Sequence, residues 1–552
     1  VQNGGSDSLN GGGFDPGNGN FATDLTATSG NTSSPVVSSA SYTFASGDVG
    51  AWLFVQSGTN WIPGWYPIAS VSGGSATLTA SIGSACLYGG STYLSTAAGC
   101  ASTASPSSGV WGVDYSRSAS ARTSYTDMVI GSTTTQFTSA GNPVGKNLVG
   151  NCVQITSGTG FTTQIVQVSS TSGTTATCDK SLGTASSTGG NGGLGGAFAS
   201  PGFAMTQINS QSANQNVMWI KYSASVYALS NTANGSGGKL TQTVGGTSQQ
   251  HHMRILGYNT IRGDFAGNRP ILSGATNSMK LIEIGPSGGG GQLDIDFLEF
   301  RVSGGATGVI GVYNTNGGGN VYCRRLYGNG VGTTINFNSS GSHNIISCAA
   351  SANTGTSFTA NGSSSSYWYG CAAYNGSGAG FIGGTQAFIH RSVAYAMSNQ
   401  PGFSTLWNGV YGCVSYGNTS SNGYGFESTC PHYNCAAYGN AQAGFTNSGA
   451  GGGTLLVNCA GGGNSGGNYA ASDFPVAWNT GFISLSADPF TSASTLDFSL
   501  NNTAGGGSSL RAAGFNPAPQ GLLSTDYLDV GAFQHQSAGG GAYPRSRVVG
   551  GS

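Results

Sequence analysis

A short unit recurs every 21 to 25 residues between Cys323 and Asn464, and this period restricts the fold more than any other feature of the chain. Cys323, Cys348, Cys371, Cys413, Cys435 and Cys459 lie 25, 23, 42, 22 and 24 residues apart, and the interval of 42 holds one more unit in which Ser392 replaces Cys. The units read Cys371-Ala-Ala-Tyr374, Ser392-Val-Ala-Tyr395, Cys413-Val-Ser-Tyr416 and Cys435-Ala-Ala-Tyr438. An Asn follows four of them (Asn399, Asn418, Asn440, Asn464), and a Gly-Phe pair closes four (Gly380-Phe381, Gly402-Phe403, Gly425-Phe426, Gly444-Phe445). A repeat built from paired helices needs about 33 residues or more. These units are shorter and rich in Gly, Asn, Ser and Tyr. One coil of short strands and turns per unit, stacked as a parallel β-helix, fits the spacing.

Successive rungs of such a coil lie about 4.8 Å apart, so a side chain that recurs once per unit forms a column. Cys and Ala suit an inward column where two sheets approach, and Phe suits a second one, with Gly turning the corner. Asn tolerates left-handed backbone and can bond to its neighbour above in a ladder at the turn. The six aligned cysteines do not read as a metal array, because metal sites cluster their ligands, as in C-x2-C with His nearby. Parallel side chains in a stack are also poorly placed for the disulfide torsion. A buried thiol stack is expected, and no cofactor is called for.

A second repeat has a longer period. Residues 37–83 align with 137–183 without a gap: Val49-Gly50 with Val149-Gly150, Ser57-Gly58-Thr59 with Ser157-Gly158-Thr159, Ala76-Thr77 with Ala176-Thr177. Each copy reads as short strands with Gly-containing turns, giving two small all-β modules over 1–105 and 106–200. Cys152 and Cys178 stand where the first copy has Trp52 and Leu78, and face the module core as two thiols or as a disulfide. With eleven cysteines in all, the states of Cys86, Cys100, Cys152, Cys178 and Cys430 are left open by the sequence. Residues 201–275 read as a linker and β-helix entry, 276–472 as rungs, and 473–552 as a C-terminal β cap with a Gly-rich tail.

The composition narrows the partners. There are 97 Gly, only 6% of residues are charged and the net charge is −1, against roughly 7% Gly and 25% charged residues in ordinary domains. Seventeen Lys and Arg are too dilute for a nucleic-acid patch, and no apolar run reaches the roughly 18 residues of a membrane span. Gly lacks the three-residue period of collagen. Three Glu in the whole chain leave little material for helices. The first residue is Val, which implies some processing, and no signal peptide is present in the sequence as given.

The rung pattern resembles right-handed parallel β-helix proteins, the architecture of pectate lyases, phage tailspikes and many bacterial surface proteins. Gly257-Tyr-Asn-Thr-Ile-Arg262-Gly263-Asp264, followed by Arg269-Pro270, looks like the lead-in before their first coil. Asp529-Val530-Gly531-Ala532-Phe533-Gln534, preceded by Asp497-Phe-Ser-Leu500, is similar to the closing segment of β-helix surface proteins. The front modules, including Trp111-Gly-Val-Asp114-Tyr115-Ser116, look like segments that precede β-helices in phages and environmental bacteria. The resemblance implies an all-β chain: two tandem modules, then a right-handed solenoid. The fold hosts enzymes, adhesins and fibres alike, so function has to be argued from sites.

Glycan cleavage by a hydrolase needs two carboxylates flanking one bond, yet Glu427 is the only acidic residue between 302 and 472. One acidic cluster precedes that stretch, Asp294-Ile-Asp296-Phe-Leu-Glu299, with Glu283 less than a rung earlier. Asp294 and Asp296 share a strand face and, with Glu299, are the weak catalytic candidates. The alternative, which the pattern favours, is a solvated strand face with Ile295 and Phe297 inward. The histidines are dispersed: His251-His252 has no metal-ligand spacing, and His343, His390 and His432 fall in different rungs and could share one flank. The run Gly288 to Gly291 lacks the Lys-Ser/Thr of a phosphate loop, and Arg262-Gly263-Asp264 reads as a turn.

Aromatic residues carry the binding hypothesis. Trp61, Trp65 and Tyr66 crowd one hairpin of the first module, and Tyr374, Tyr395, Tyr416 and Tyr438 recur at rung spacing. Such faces, flanked by Asn, Ser and Gln, suit sugar rings, while packing within the module or along the solenoid is the alternative. The expected function is a non-enzymatic extracellular structural or adhesive protein, a virion fibre or spike or a self-assembling surface filament, probed against a polysaccharide-degrading enzyme. A homo-oligomer or polymer is the expected assembly, since near-zero charge removes self-repulsion. A host or environmental glycan is the expected ligand.

Overall fold

The structure, a computed structural model, describes the chain apart from residues 80–104, 210–215, 244–252, 286–291, 448–454, 471–478, 515–528 and 533–552 and several breaks of five residues or fewer. Cys86, Cys100, the His251-His252 pair, the Gly288–Gly291 run, Phe533-Gln534 and the Gly-rich tail lie outside the described residues.

The 100-residue repeat folds twice into the same object. Strands Ala22–Ala27, Val36–Ser38, Trp52–Thr59, Gly64–Ser72, Ser75–Leu78 and Ser107–Asp114 close into one antiparallel barrel. Thr123–Ile130, Gln136–Thr138, Cys152–Ser157, Gln164–Ser172, Thr175–Cys178 and Gly190–Leu194 close into a second. In both, a 3-10 turn leads into a Val-Gly step, where Gly50 and Gly150 take φ of 85° and 89°. The last strand of the first barrel lies beyond the 105–106 boundary expected from sequence. Cys152 and Cys178 are both free thiols, Cys178 buried and Cys152 partly so.

After the helix Pro201–Asn209 the chain winds into a parallel β-helix. Its first sheet runs as eleven parallel strands from Val217–Lys221 to Asn479–Thr480. The other two faces are equally parallel and meet at their corners. One rung shows the plan: Ser365–Tyr369 on the first sheet, Ala372–Tyr374 on the second, Phe381–Gly383 on the third. The stack therefore begins inside the stretch expected as linker and entry.

From the third strand of the first sheet onward, the chain bends between the first and second sheets through one left-handed residue per rung. These residues are Phe297, Arg325, Ser347, Gly370, Arg391, Gly412, Asn434, Asn458 and Gly481, all with φ between 46° and 71°. Left-handed backbone costs an L-residue roughly 1–2 kcal/mol, least for Asn, which is why Gly and Asn recur there. The residue after the bend points inward, and the pairing register lines up Leu298, Leu326, Cys348, Cys371, Ser392, Cys413, Cys435 and Cys459. Five of the six expected cysteines are in this column. Cys323 is not: it pairs with Ile295 and Ile345 on the first sheet, three residues before the column position that Leu326 fills. Each column thiol lies within donating reach of two carbonyls, one two residues back across the bend, as Cys348 to Ile346 at 3.5 Å and Cys435 to Tyr433 at 3.4 Å, and one in the preceding rung, as Cys371 to Ile345 at 3.5 Å and Cys459 to His432 at 3.4 Å. Ser392 makes the same bond to His390 at 2.9 Å, so a hydroxyl replaces the thiol without loss of the contact.

The Gly-Phe pairs form the second inward column. Phe358, Phe381, Phe403, Phe426 and Phe445 stack face to face at 4.6–5.1 Å between ring centres. The glycines before them are not left-handed corners. A Cβ on Gly380 or Gly425 would sit 2.5 or 2.4 Å from the carbonyl of the next rung, so close approach requires glycine. The Asn ladder is present but buried and shorter than expected. Asn418 accepts from the Met397 amide at 3.0 Å, Asn440 from Asn418 at 3.2 Å and Asn464 from Asn440 at 3.0 Å. Asn399 is exposed, and Met397 takes its place at the ladder's end.

Two contacts tie these parts together. Buried Asp114 accepts from Arg117 at 2.9 Å and lies 3.5 Å from Arg262, while Asp264 accepts from the amides of Asn259 and Thr260. The Arg262-Gly263-Asp264 tripeptide is thus a turn whose arginine anchors the solenoid entry to the barrels. At the other end, the hairpin of Phe490–Ser492 and Asp497–Leu500 packs, with Leu510 and Val530, on Val393, Val414, Ala436 and Ala460 of the second sheet. Truncating the middle ring of the Phe stack tests this core: Phe403→Ala should cost about 3–5 kcal/mol, read by denaturant unfolding, whereas a loss below about 1 kcal/mol would contradict a close-packed column.

Candidate functional site

Period-two alternation along Leu293–Asp296 turns Asp294 and Asp296 outward and Ile295 inward, as expected. The two carboxylates are not solvated, however, being 4% and 2% exposed. Arginines from the rungs on either side enclose them. Arg254, in register with Asp294, lies 3.5 Å from it, and Arg324 donates to it at 3.2 Å. Asp296 accepts two bonds from Arg325, one of 2.8 Å from Nε and a second from Nη2, and lies 3.7 Å from Arg324. Phe297 is the left-handed corner residue and packs outside the core against Phe265, so Leu298 takes the inward place expected for Phe297. Beyond that corner Glu299 belongs to the second sheet, where Arg301 holds it at 2.5 Å. Glu283, on the third sheet, bridges Lys239 and Lys280 at 2.8 and 2.9 Å. The acidic cluster is therefore divided among three faces, and each member is engaged by cations. Among the described residues no group of three or more His, Cys, Asp or Glu is placed to hold a metal.

The aromatic candidates separate into two environments. Trp61 and Tyr66 are buried in the core shared by the barrels, while Trp65 is buried in a separate cluster with Phe21, Phe54 and Val149, 4.9 Å from Phe54 and beneath the Arg117 guanidinium. Tyr374, Tyr395, Tyr416 and Tyr438 line the outside of the second sheet, and the C-terminal hairpin lies over part of this column. Tyr416 donates to Asp488 at 2.6 Å, and Phe498 packs edge-on against both Tyr395 and Tyr416.

A different aromatic face, not singled out from the sequence, stands open on the first sheet. One outward column reads Asp294, Tyr322, Asn344, Tyr367, Phe388, and its neighbour Asp296, Arg324, Ile346, Tyr369, His390, Tyr411, Tyr433. Tyr367 stacks on Phe388 at 5.5 Å, His390 on Tyr411 at 4.7 Å and Tyr411 on Tyr433 at 5.0 Å. Tyr367 and Tyr369 are 46% and 44% exposed, more than any other large apolar side chain described. The signal was present in the alternation Ser365-Ser-Tyr-Trp-Tyr369, with Trp368 fully buried between its neighbours.

The histidines do not share a flank. His390 is outside on the first sheet, whereas His343 and His432 are buried within the solenoid. His343 stacks on Phe337 at 4.1 Å, and His432 lies 2.9 Å from the Ser428 hydroxyl. Burial holds His343 down to about 4 and His432 down to about 3. In the unfolded chain both titrate near 6.5, so below that pH the unfolded state binds more protons and stability rises with pH. Their contribution is complete above pH 6.5 and is lost as pH falls toward 4. Thermal melting should drop between pH 7 and pH 4.5, and His343→Gln with His432→Gln should flatten that slope; an unchanged slope would assign the acid sensitivity elsewhere.

No protein-family model and no curated protein matches the chain. Among solved structures, pectate lyase Pel9A is similar at 17% identity and a TM-score of 0.35, covering 62% of this chain and 92% of that one. The catalytic domain of a GH87 α-1,3-glucanase, in complex with nigerose, is similar at 10% identity and a TM-score of 0.25, covering 65% of this chain and 88% of that one. The β-helix assignment rests on the strand pairing itself, and no described helix is long and apolar enough to cross a membrane.

Proposed function

We propose that the chain is a non-enzymatic extracellular structural or adhesive protein, a phage virion fibre or spike component or a surface filament that assembles with its own copies. The observation that supports this reading most is the fate of the acidic cluster. Acid–base cleavage of a glycan requires two carboxylates aimed at one bond with room for water or substrate between them. Here Asp294 and Asp296 are wrapped by Arg254, Arg324 and Arg325, and Glu299 faces another side of the solenoid. A net charge of −1 suits close packing against like neighbours.

A polysaccharide-degrading β-helix enzyme is the second reading. It draws on the position of the arginine–carboxylate cluster, which lies on the same sheet face as the open aromatic columns. The two readings separate on incubation of the purified chain with capsular and cell-wall glycans. No new reducing or unsaturated ends are expected, and their appearance would overturn the non-enzymatic reading. Asp296→Asn sharpens the comparison. As a structural ion-pair member partnered by half-exposed arginines, it should cost about 1–3 kcal/mol. If wild-type cleavage is seen and Asp296→Asn abolishes it, the enzyme reading stands.

A further inference from the structure

The open face of the first sheet contains a break in its aromatic columns. Tyr322 and Arg324 are outward in one rung and Tyr367 and Tyr369 two rungs on, while the rung between them carries only Asn344 and Ile346. Two rung steps separate the flanking strands by about 9.5 Å. Adjacent rungs hold Tyr367 and Phe388 face to face at 5.5 Å between ring centres, so a rung without a ring leaves room for one. Further along, rings fill successive rungs and cover each other's faces, so those columns offer only edges to solvent. At Asn344 the ring that would continue the stack is missing. Ile346, Tyr367 and Tyr369, three of the most exposed large apolar side chains described, border this gap.

The charge around the gap is positive on balance: Asp294 and Asp296, one rung before Tyr322 and Arg324, are matched by three arginines, Arg254, Arg324 and Arg325. Arg324 borders it with a side chain 41% exposed even while bonded to Asp294. On the far side Arg391 reaches back to donate to the Tyr369 hydroxyl at 3.1 Å. Between residues 302 and 472 the one carboxylate is Glu427, and it lies on the third sheet. A guanidinium carries five donors in a fork suited to carboxylate or sulfate oxygens, so Arg324 retains donors for a ligand.

We propose that this gap is a binding slot for one pyranose ring of an anionic glycan. The sugar's apolar face rests on the Tyr367 ring, its hydroxyls meet the Asn344 amide, and its acidic group meets Arg324. The proposal rests on the adhesive form of the reading above and names the class of ligand. Carboxylate-bearing and sulfate-bearing sugars share the chemistry the slot recognises.

The test measures binding of the full chain to three soluble polymers, bearing carboxylates, sulfate esters or no charge, by titration calorimetry. The charged polymers should bind and the neutral one should not; binding of one charged polymer alone identifies which source of anionic sugar is used. Tyr367→Ala should weaken binding roughly tenfold, the effect of losing one stacking partner. Asn344→Tyr should abolish binding while preserving or raising the melting temperature, because it supplies the missing ring. Equal affinity for the neutral polymer, absence of binding, or unchanged binding in both variants would overturn the slot. Self-association of the wild type that Asn344→Tyr abolishes, without glycan binding, would assign the gap to a second copy and also overturn it. Cleavage of the polymer by the wild type, with binding still lost in Asn344→Tyr, would overturn the non-enzymatic reading and leave the slot intact.

Discussion

The single left-handed residue between the first and second sheets organises the solenoid. It appears once per rung from Phe297 to Gly481 and fixes where each strand ends. Because side chains alternate faces with a period of two, fixing the corner fixes which residues point in. The thiol column follows directly, since the residue after the bend faces the core and can reach back to a carbonyl at the corner. Small size alone would allow Ala there. The hydrogen bond explains Cys, and explains why Ser392 is the one polar replacement.

Stacking at rung spacing then does most of the packing. Inside, five Phe rings and the short Asn ladder repeat contacts between identical side chains, which register alone brings together. The same geometry places the polar interior residues His343 and His432 beside Phe337 and Ser428, where burial keeps them neutral. Outside, the flanks differ. The second sheet is covered in part by the C-terminal hairpin, whereas the first sheet presents rings and arginines. Structural ion pairs use part of the scarce charge, at Asp114 with Arg117 and Arg262 and at Asp294 and Asp296 with their arginines.

Much of the fold was legible because its causes are local and repeated. A 21–25-residue period, a Gly-Phe pair per coil and a 100-residue internal repeat each reflect contacts between equivalent residues of neighbouring units. Cys323 was misplaced because spacing alone cannot distinguish two inward positions three residues apart; only the pairing with Ile295 and Ile345 does so. Asn399 was misplaced for a similar reason, as Met397 and not Asn399 stands at rung register with Asn418.

The sequence by itself determined the β-helix, its rung length, the identity of the Phe and Cys columns and the duplicated front module. What the tertiary structure alone decided was exposure. Tyr416 and Tyr367 are both tyrosines at rung spacing, yet one lies beneath a hairpin 72 residues downstream at Asp488 and the other is open to solvent. Likewise Asp294 and Asp296 read as a solvated pair until Arg254 and Arg324, from the preceding and following rungs, closed over them. Periodicity reports contacts that every unit repeats, and exposure depends on contacts made once, between segments far apart in the chain.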